Sequence, residues 1–185
     1  MGNRVSPRDL QVLFKLGVIL LEENSMSDPL AIYLHDHLAG AALAIELLES
    51  MRDQHAGKPL GRFATGLLVE IEADRDVLRG LSERAGAGSN AFKELSAWLA
   101  ERLSRVKLSG QRDGDLETFE ALEFLQLGIH GKLALWRALA VAAASEARLK
   151  STDFSYLAAR AQEQENSVEQ QRLEAARTAF RPART

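Results

Sequence analysis

Five ionisable residues interrupt the apolar stripes of this sequence and are its candidates for chemistry. They are His37, Glu70, Asp74, Glu123 and His130. Carboxylate and imidazole groups are the ligands that proteins use for iron, manganese or zinc. These residue types therefore raise the hypothesis of a metal centre inside a helical bundle.

The spacing of these residues argues against a single shared ion. Glu70 and Asp74 are four positions apart on one helical stripe and could share an ion. Glu123 and His130 are seven positions apart, which is two helical turns or roughly 10 Å of rise. One ion bonded at about 2.0–2.2 Å does not readily reach both side chains. If the chain pairs antiparallel about Gly57, the remaining candidate, the histidine at position 37, lies one turn away from the carboxylates.

Two interpretations of the five residues remain open. In one they are remnants, or a relaxed version, of a metal centre. In the other, which we favour, they are polar core or boundary groups whose carboxylates pair with imidazoles or with Arg75 and Arg79. An unpaired buried charge would be costly, and pairing removes that cost. Trp98 and Trp136 are interpreted as packing anchors.

The elements that position these residues are predicted to be helices, because apolar residues recur at steps of three and four. Helix starts are predicted where Asp28 precedes Pro29 and after Asp153, and a break is predicted between Gly57 and Pro59. The predicted helices are residues 6–23, 29–56, 59–84, 90–109, 115–145 and 154–181.

Residues 90–109 carry the cleanest amphipathic face in the chain. The apolar residues of that face are Phe92, Leu95, Leu99, Leu103 and Val106. The densest basic group of the sequence lies in and just after the same segment, at Arg102, Arg105, Lys107 and Arg112. A solvated helix end explains this basic group, because cations suit the negative end of a helix dipole.

Short connections between long helices predict antiparallel neighbours and hence an all-α, up-and-down bundle. We expect four core antiparallel helices plus an extra terminal helix, with that polar last helix serving as a cover or a docking surface. The predicted divisions are an N-terminal extension at 1–28 containing a short helix, a bundle at 29–180 and a frayed tail at 181–185.

A family resemblance is carried by three stretches of this sequence, residues 33–41 (YLHDHLAGA), 70–76 (EIEADRD) and 127–139 (LGIHGKLALWRAL). They resemble an uncharacterised group of bacterial helical proteins that look like members of the ferritin-like four-helix-bundle superfamily. The resemblance covers about residues 29–180. It implies a ferritin-like fold and brings no established activity with it.

Active ferritin-like proteins hold two metal ions between a Glu on each of two helices and a Glu-x-x-His on each of the other two. This sequence contains no Glu-x-x-His: Ala73 stands three positions after Glu70, and Gln126 stands three after Glu123. The resemblance therefore supports the fold and weakens the metal chemistry.

Composition excludes several other classes of function. A net charge of −3 without a basic stripe gives no reason to expect nucleic acid as a partner. With no cysteine, disulfides, thiolate metal sites and cysteine nucleophiles are all excluded. The apolar stretch from Leu10 to Leu21 is shorter than the roughly 20 residues of a membrane span. We therefore expect a cytoplasmic protein with no membrane partner.

Taken together, the sequence favours a non-enzymatic binding or interaction protein without a cofactor. Its expected partners are a second copy of the chain, forming a homodimer, or another protein that the sequence does not identify. The leading alternative is a metal-dependent oxidoreductase or metal-binding protein that uses iron or manganese at the five candidates. A small apolar ligand held between the helices is the third possibility.

Overall fold

The computed structural model describes residues 28–86 and 114–181 as four long helices and one 3-10 turn. Within these two ranges no residue lies in a β-strand, so the predicted all-α class is confirmed. The helices are α1 (Pro29–Gln54), α2 (Pro59–Arg84), α3 (Gly114–Ala142) and α4 (Phe154–Ala179), and the 3-10 turn is Ala147–Leu149.

Two of the helices begin where their capping residues predict. The Asp28 carboxylate accepts a hydrogen bond of 2.9 Å from the backbone N–H of Leu30, and Pro29 fills the first turn of α1. The Asp153 carboxylate accepts one of 3.0 Å from the backbone N–H of Tyr156 at the start of α4. Gly57, with φ of +77°, makes the turn between α1 and α2 that a side chain would strain.

One apolar cluster fixes the relative directions of the helices. It joins the start of α1 through Leu34, the end of α2 through Leu81, the end of α3 through Trp136 and the start of α4 through Leu157. A second cluster joins the four opposite halves, with Leu48, Ile71, Leu122 and Val168 at its centre. Neighbouring helices in the bundle are therefore antiparallel, whereas α2 and α3 run in the same direction.

The last helix belongs to the core, and its prediction as an extra terminal element was wrong. α4 packs along the length of α3 and buries Leu157, Ala161 and Val168. Its composition is polar because only a narrow stripe, repeated at steps of three and four, faces inward. That stripe is sufficient to place α4 in the bundle with the other three described helices.

Arg148 ties three elements together at one end of the bundle. Its guanidinium donates to Asp28 Oδ2 at 2.5 Å, to the backbone oxygen of Ala85 at 3.3 Å and to Glu146 Oε2 at 2.7 Å. The hydrogen bonds that the side chain and the backbone N–H of Arg148 donate to Glu146 lower the pKa of Glu146 to about 2. The start of α1, the end of α2 and the connection between α3 and α4 are thus held by one side chain.

Among the described helices, α1 is long and apolar enough to cross a membrane, with a mean hydropathy of 1.2 over its most apolar window. Length and composition are weak evidence by themselves, because core helices and signal sequences have the same properties. Here α1 places Leu34, Leu38 and Leu48 in the bundle core.

The predicted helices at residues 6–23 and 90–109 lie outside the described residues. The same holds for Trp98, for nearly all of the predicted N-terminal extension and for most of the tail.

Candidate functional site

Asp74 is the centre of the candidate site. It lies midway along α2 on the same inward stripe as Ile71 and Leu78, and only 2% of its surface is exposed. Among the described residues no other charged residue is as completely buried. A carboxylate in this position requires partners that replace the water it has lost.

Two cations from the opposite hairpin supply those partners. Lys132 on α3 donates from Nζ to Asp74 Oδ2 at 2.5 Å, and Arg160 on α4 donates from Nη2 to Oδ1. Gln164, one turn after Arg160, also donates to Oδ2 at 3.3 Å. The carboxylate of α2 is therefore bonded to both helices of the other hairpin.

The network continues through Gln164 to the surface. Lys132 Nζ donates to Gln164 Oε1 at 2.5 Å, and Gln164 Nε2 donates to Glu70 Oε2 at 2.9 Å. Two carboxylates thus face two cations, with a buried amide between them. We call these five residues, Glu70, Asp74, Lys132, Arg160 and Gln164, the charge network.

Burial is the main influence on the pKa of Lys132. It lowers the pKa of the ammonium group, and the charge of Asp74 together with its hydrogen bond acts in the opposite direction. The side chain of Lys132 is 14% exposed. Removing one partner of such a buried ion pair strongly lowers the stability of the fold, because the other charge is left uncompensated.

A cavity of about 70 Å³ adjoins the charge network between α1, α2 and α3. Residues that line it include His37, Gly40, Asp74, Gly128, Lys132 and Trp136. His37 is half-buried, and its ring packs edge-on against Tyr33 at 4.7 Å between centroids. Burial lowers the pKa of His37 and Asp36 partly opposes that shift, so the neutral imidazole is favoured. The cavity therefore brings together two of the five predicted site residues.

The other three predicted residues do not point into the bundle, and their inward placement was wrong. Glu70 is exposed and reaches inward only through Gln164. The Glu123 side chain is 52% exposed and lies 3.6 Å from Arg172. His130, 67% exposed, lies 2.9 Å from a carboxylate oxygen of Glu165 on α4.

The reason lies in the width of the buried stripe of α3. The buried stripe contains Leu122, Leu125 and Ile129. Successive residues of an α-helix are rotated by about 100° around its axis, so residues next to the stripe in sequence can lie on the flank of the helix. Glu123 and His130 fall on the flank beside α4, where carboxylates and cations pair at the surface. In the described part of the chain, no three His, Cys, Asp or Glu side chains come close enough to hold a metal ion together.

The two arginines that were expected to pair with the inward carboxylates lie instead beside an exposed one. Arg75 bonds the neighbouring Asp76 at 3.0 Å, and Arg79 lies 3.6 Å from the same carboxylate. The interpretation that inward carboxylates are paired holds for Asp74, but its cations come from α3 and α4.

Sequence reasoning missed Lys132, Arg160 and Gln164. The signal for Lys132 was present, because this lysine stands three positions after Ile129 and four before Trp136 on an otherwise apolar inward stripe. Gln164 occupies the equivalent place between Ala161 and Val168 in α4. A cation or amide in such a stripe indicates a buried partner on another helix.

A polar groove of about 430 Å³ lies between α2 and α4, next to the charge network. The amide and hydroxyl groups of Gln164, Ser167, Gln170 and Gln171 line one wall. The facing wall is formed by α2, where Gly66 leaves open space. The groove offers both hydrogen-bond donors and acceptors to a partner.

Comparisons with protein-family models, with curated protein sequences and with solved structures found nothing that matches this chain.

Proposed function

We propose that this protein is a non-enzymatic binding or interaction protein built on a ferritin-like bundle. The observation that carries the proposal is the pairing of Asp74 with Lys132 and Arg160. In ferritin-like metal proteins, inward carboxylates face metal ions at the centre of the bundle. Here an ammonium and a guanidinium group take the place of the positive charge that such carboxylates need.

The chain order supports the ferritin-like part of the proposal. Bundle neighbours are antiparallel, but α2 and α3 run in the same direction, so the end of α2 and the start of α3 lie at opposite ends of the bundle. Ferritin-like bundles have consecutive helices related in this way, whereas in simple up-down-up-down bundles consecutive helices are antiparallel.

The groove between α2 and α4 is the contact surface that we propose, and a second copy of the chain is the proposed partner. A two-fold interface brings the same patch of both subunits together, so that patch must complement itself. Gln170 and Gln171 can donate and accept hydrogen bonds, and so they can pair with their own copies. The groove carries charges of both signs, because its lining includes Arg62, Glu70 and Glu163.

Metal analysis tests the non-enzymatic part of the proposal against a metal-dependent oxidoreductase. The protein would be purified without added metal and its iron, manganese and zinc measured, together with Asp74→Ala and His37→Ala. Asp76→Ala, on the same helix and exposed, is the matched control. We expect no metal near one equivalent. Near-stoichiometric metal that disappears in the first two variants and persists in the control would overturn the proposal.

Light scattering tests whether the partner is a second copy of the chain. A homodimer has twice the 20.3 kDa mass of the chain. We expect Gly66→Arg, which fills the groove, to produce monomer, and Gln54→Arg at an exposed position of α1 to leave the dimer intact. A natural chain that is monomeric at all accessible concentrations would refute the homodimer.

A further inference from the structure

The cavity beside the charge network has the size and the walls of a small-molecule site. Ile71, Leu78, Ile129 and Leu135 contribute hydrocarbon to its wall. Its volume, about 70 Å³, is roughly half that of an engineered apolar cavity of about 150 Å³ that holds benzene. Space of this size suits an organic molecule of about four non-hydrogen atoms.

The cavity reaches the surface between α1 and α3. Gly40 on α1 and Gly128 on α3 are exposed, and both belong to its lining. A Cβ built at either position would meet nothing within 4 Å. Glycine destabilises the interior of a helix relative to alanine, so packing within the described part of the chain does not explain either glycine. Their missing side chains keep the way in from solvent open.

Two hydrogen-bond donors of the lining are available to a ligand. Trp136 is fully buried, and its indole Nε1 has no hydrogen-bond partner among the described residues. Lys132 Nζ carries three N–H donors, and its bonds to Asp74 Oδ2 and Gln164 Oε1 use two of them. Lys132 and Trp136 are four positions apart in α3, which places them on the same face of the helix. Since both groups donate, the ligand they can bind together is one with acceptor oxygens.

The charge of the lining favours an anion. Among the described residues that line the cavity, Asp74 is acidic, whereas Arg75 and Lys132 are basic. Burial lowers the pKa of His37 and so favours its neutral form. Both oxygens of Asp74 are already bonded, Oδ2 by Lys132 and Oδ1 by Arg160. A carboxylate ligand would meet a net positive lining and would supply two acceptor oxygens for the two donors.

We propose that this cavity is a binding site for a short-chain carboxylate of the size of acetate. The carboxylate accepts hydrogen bonds from Lys132 Nζ and Trp136 Nε1, and the alkyl group lies against the apolar wall. The site is separate from the groove between α2 and α4. It goes beyond the proposed function, and it can stand or fail independently of the homodimer.

Nuclear magnetic resonance of the ¹⁵N-labelled chain tests the proposal with acetate as the probe. The chain has two tryptophans, so the signal that disappears in Trp136→Phe identifies the Trp136 indole N–H. Sodium acetate would be added at constant ionic strength. We expect this signal to move downfield and to saturate with a Kd of about 0.1–10 mM, since so small a ligand has few atoms with which to bind. A signal that does not respond to acetate would overturn the proposal, and it is the result expected if a buried water alone bonds Nε1.

Acetamide tests whether the charge of the ligand is recognised. It has the shape and size of acetate but is neutral. Hydrogen bonds to charged groups are stronger than those between neutral groups, so acetamide should bind at least about tenfold more weakly. Equal affinities would refute a carboxylate site.

Two variants locate the bound acetate. Gly128→Leu places a side chain at the mouth and should weaken binding at least about tenfold, since the lost hydrogen bonds are to a charged group. Gly131→Leu, on the same helix and outside the lining, is the matched control and should bind as the natural chain does. Lys132→Met enlarges no side chain, removes one donor and its charge, and should also weaken binding about tenfold or more. Unchanged affinity in folded Gly128→Leu or Lys132→Met would place the acetate outside the cavity and overturn the proposal.

Discussion

Lys132 and Asp74 are 58 positions apart in the sequence, and their Nζ and Oδ2 atoms are 2.5 Å apart inside the bundle. The contact joins the α1–α2 hairpin to the α3–α4 hairpin. Arg160 bonds the other oxygen of the same carboxylate. Asp74 therefore links the two hairpins through buried charges, beside the two apolar clusters that join the same helices.

Replacing Asp74 should cost much more stability than replacing its exposed neighbour. Asp74→Ala leaves Lys132 and Arg160 without their shared partner, and breaking a buried pair typically costs about 3–5 kcal/mol. Asp76→Ala removes surface ion pairs and should cost about 1 kcal/mol or less. Urea unfolding of both variants measures the difference. Equal losses would show that Asp74 is not buried among charges.

A double-mutant cycle separates the Asp74–Lys132 interaction from packing. Lys132→Met keeps most of the side-chain volume and leaves Asp74 with Arg160, so it should cost less than Asp74→Ala. We expect the double variant to be more stable than the sum of the two losses predicts, by about 0.5–3 kcal/mol. The free energies of unfolding of the four proteins give the coupling directly. Strict additivity would exclude a direct interaction.

Trp136 is fully buried, and its indole Nε1 is one of the buried side-chain atoms of the described residues without a hydrogen-bond partner. Trp136→Phe removes that unsatisfied donor, whose burial costs about 1–3 kcal/mol, and this gain offsets much of the lost volume. We expect a net loss below about 1.5 kcal/mol, whereas Trp136→Ala should cost about 3–5 kcal/mol. Thermal and urea unfolding measure both changes. A large loss in the phenylalanine variant would indicate a buried water bonded to Nε1.

The lowered pKa of His37 predicts a loss of stability on mild acidification. Between that lowered pKa and about 6.5, the unfolded chain binds more protons at His37 than the folded protein does. The free energy of unfolding therefore falls as the pH decreases through this window. Asp74, Arg75 and Lys132 line the same cavity as His37. The contribution of His37 is therefore isolated by comparing a His37 variant with the natural chain.

His37→Gln should reduce the slope of stability against pH below 6.5. His130→Gln, which removes an exposed imidazole, is the control for general effects of histidine loss. Urea midpoints at several pH values between 7.5 and 5 provide the comparison. An unchanged slope in His37→Gln would show that the acid sensitivity does not come from His37.

Helix starts and the all-α class could be predicted because their signals are local. Asp28 and Pro29 cap and begin α1 through contacts within three residues, and Asp153 does the same for α4. The role of α4 was mispredicted because burial depends on its neighbour. A stripe as narrow as Leu157, Ala161 and Val168 becomes core only when α3 packs on it.

The candidate site was predictable only at its centre. Asp74 was identified because it interrupts an apolar stripe, but its cations lie 58 and 86 positions away. The spacing of residues within one helix does not determine how that helix is aligned against its neighbours. Glu123 and His130 show the same limit, since a rotation of α3 by a fraction of a turn decides between core and surface.

Two glycines of α2 give opposite predictions because their surroundings differ. A Cβ at Gly61 would overlap the backbone oxygen of His55, where α1 ends against the start of α2. Since backbone atoms cannot move aside like a flexible side chain, Gly61→Ala should lower the free energy of unfolding by about 1–3 kcal/mol. At Gly66 a Cβ meets nothing within 4 Å, and alanine favours the helix, so Gly66→Ala should add about 0.5–1 kcal/mol. Urea unfolding of the two variants tests the close approach of the α1–α2 turn. Stabilisation by both substitutions would mean that the turn lies further from α2 than the structure places it.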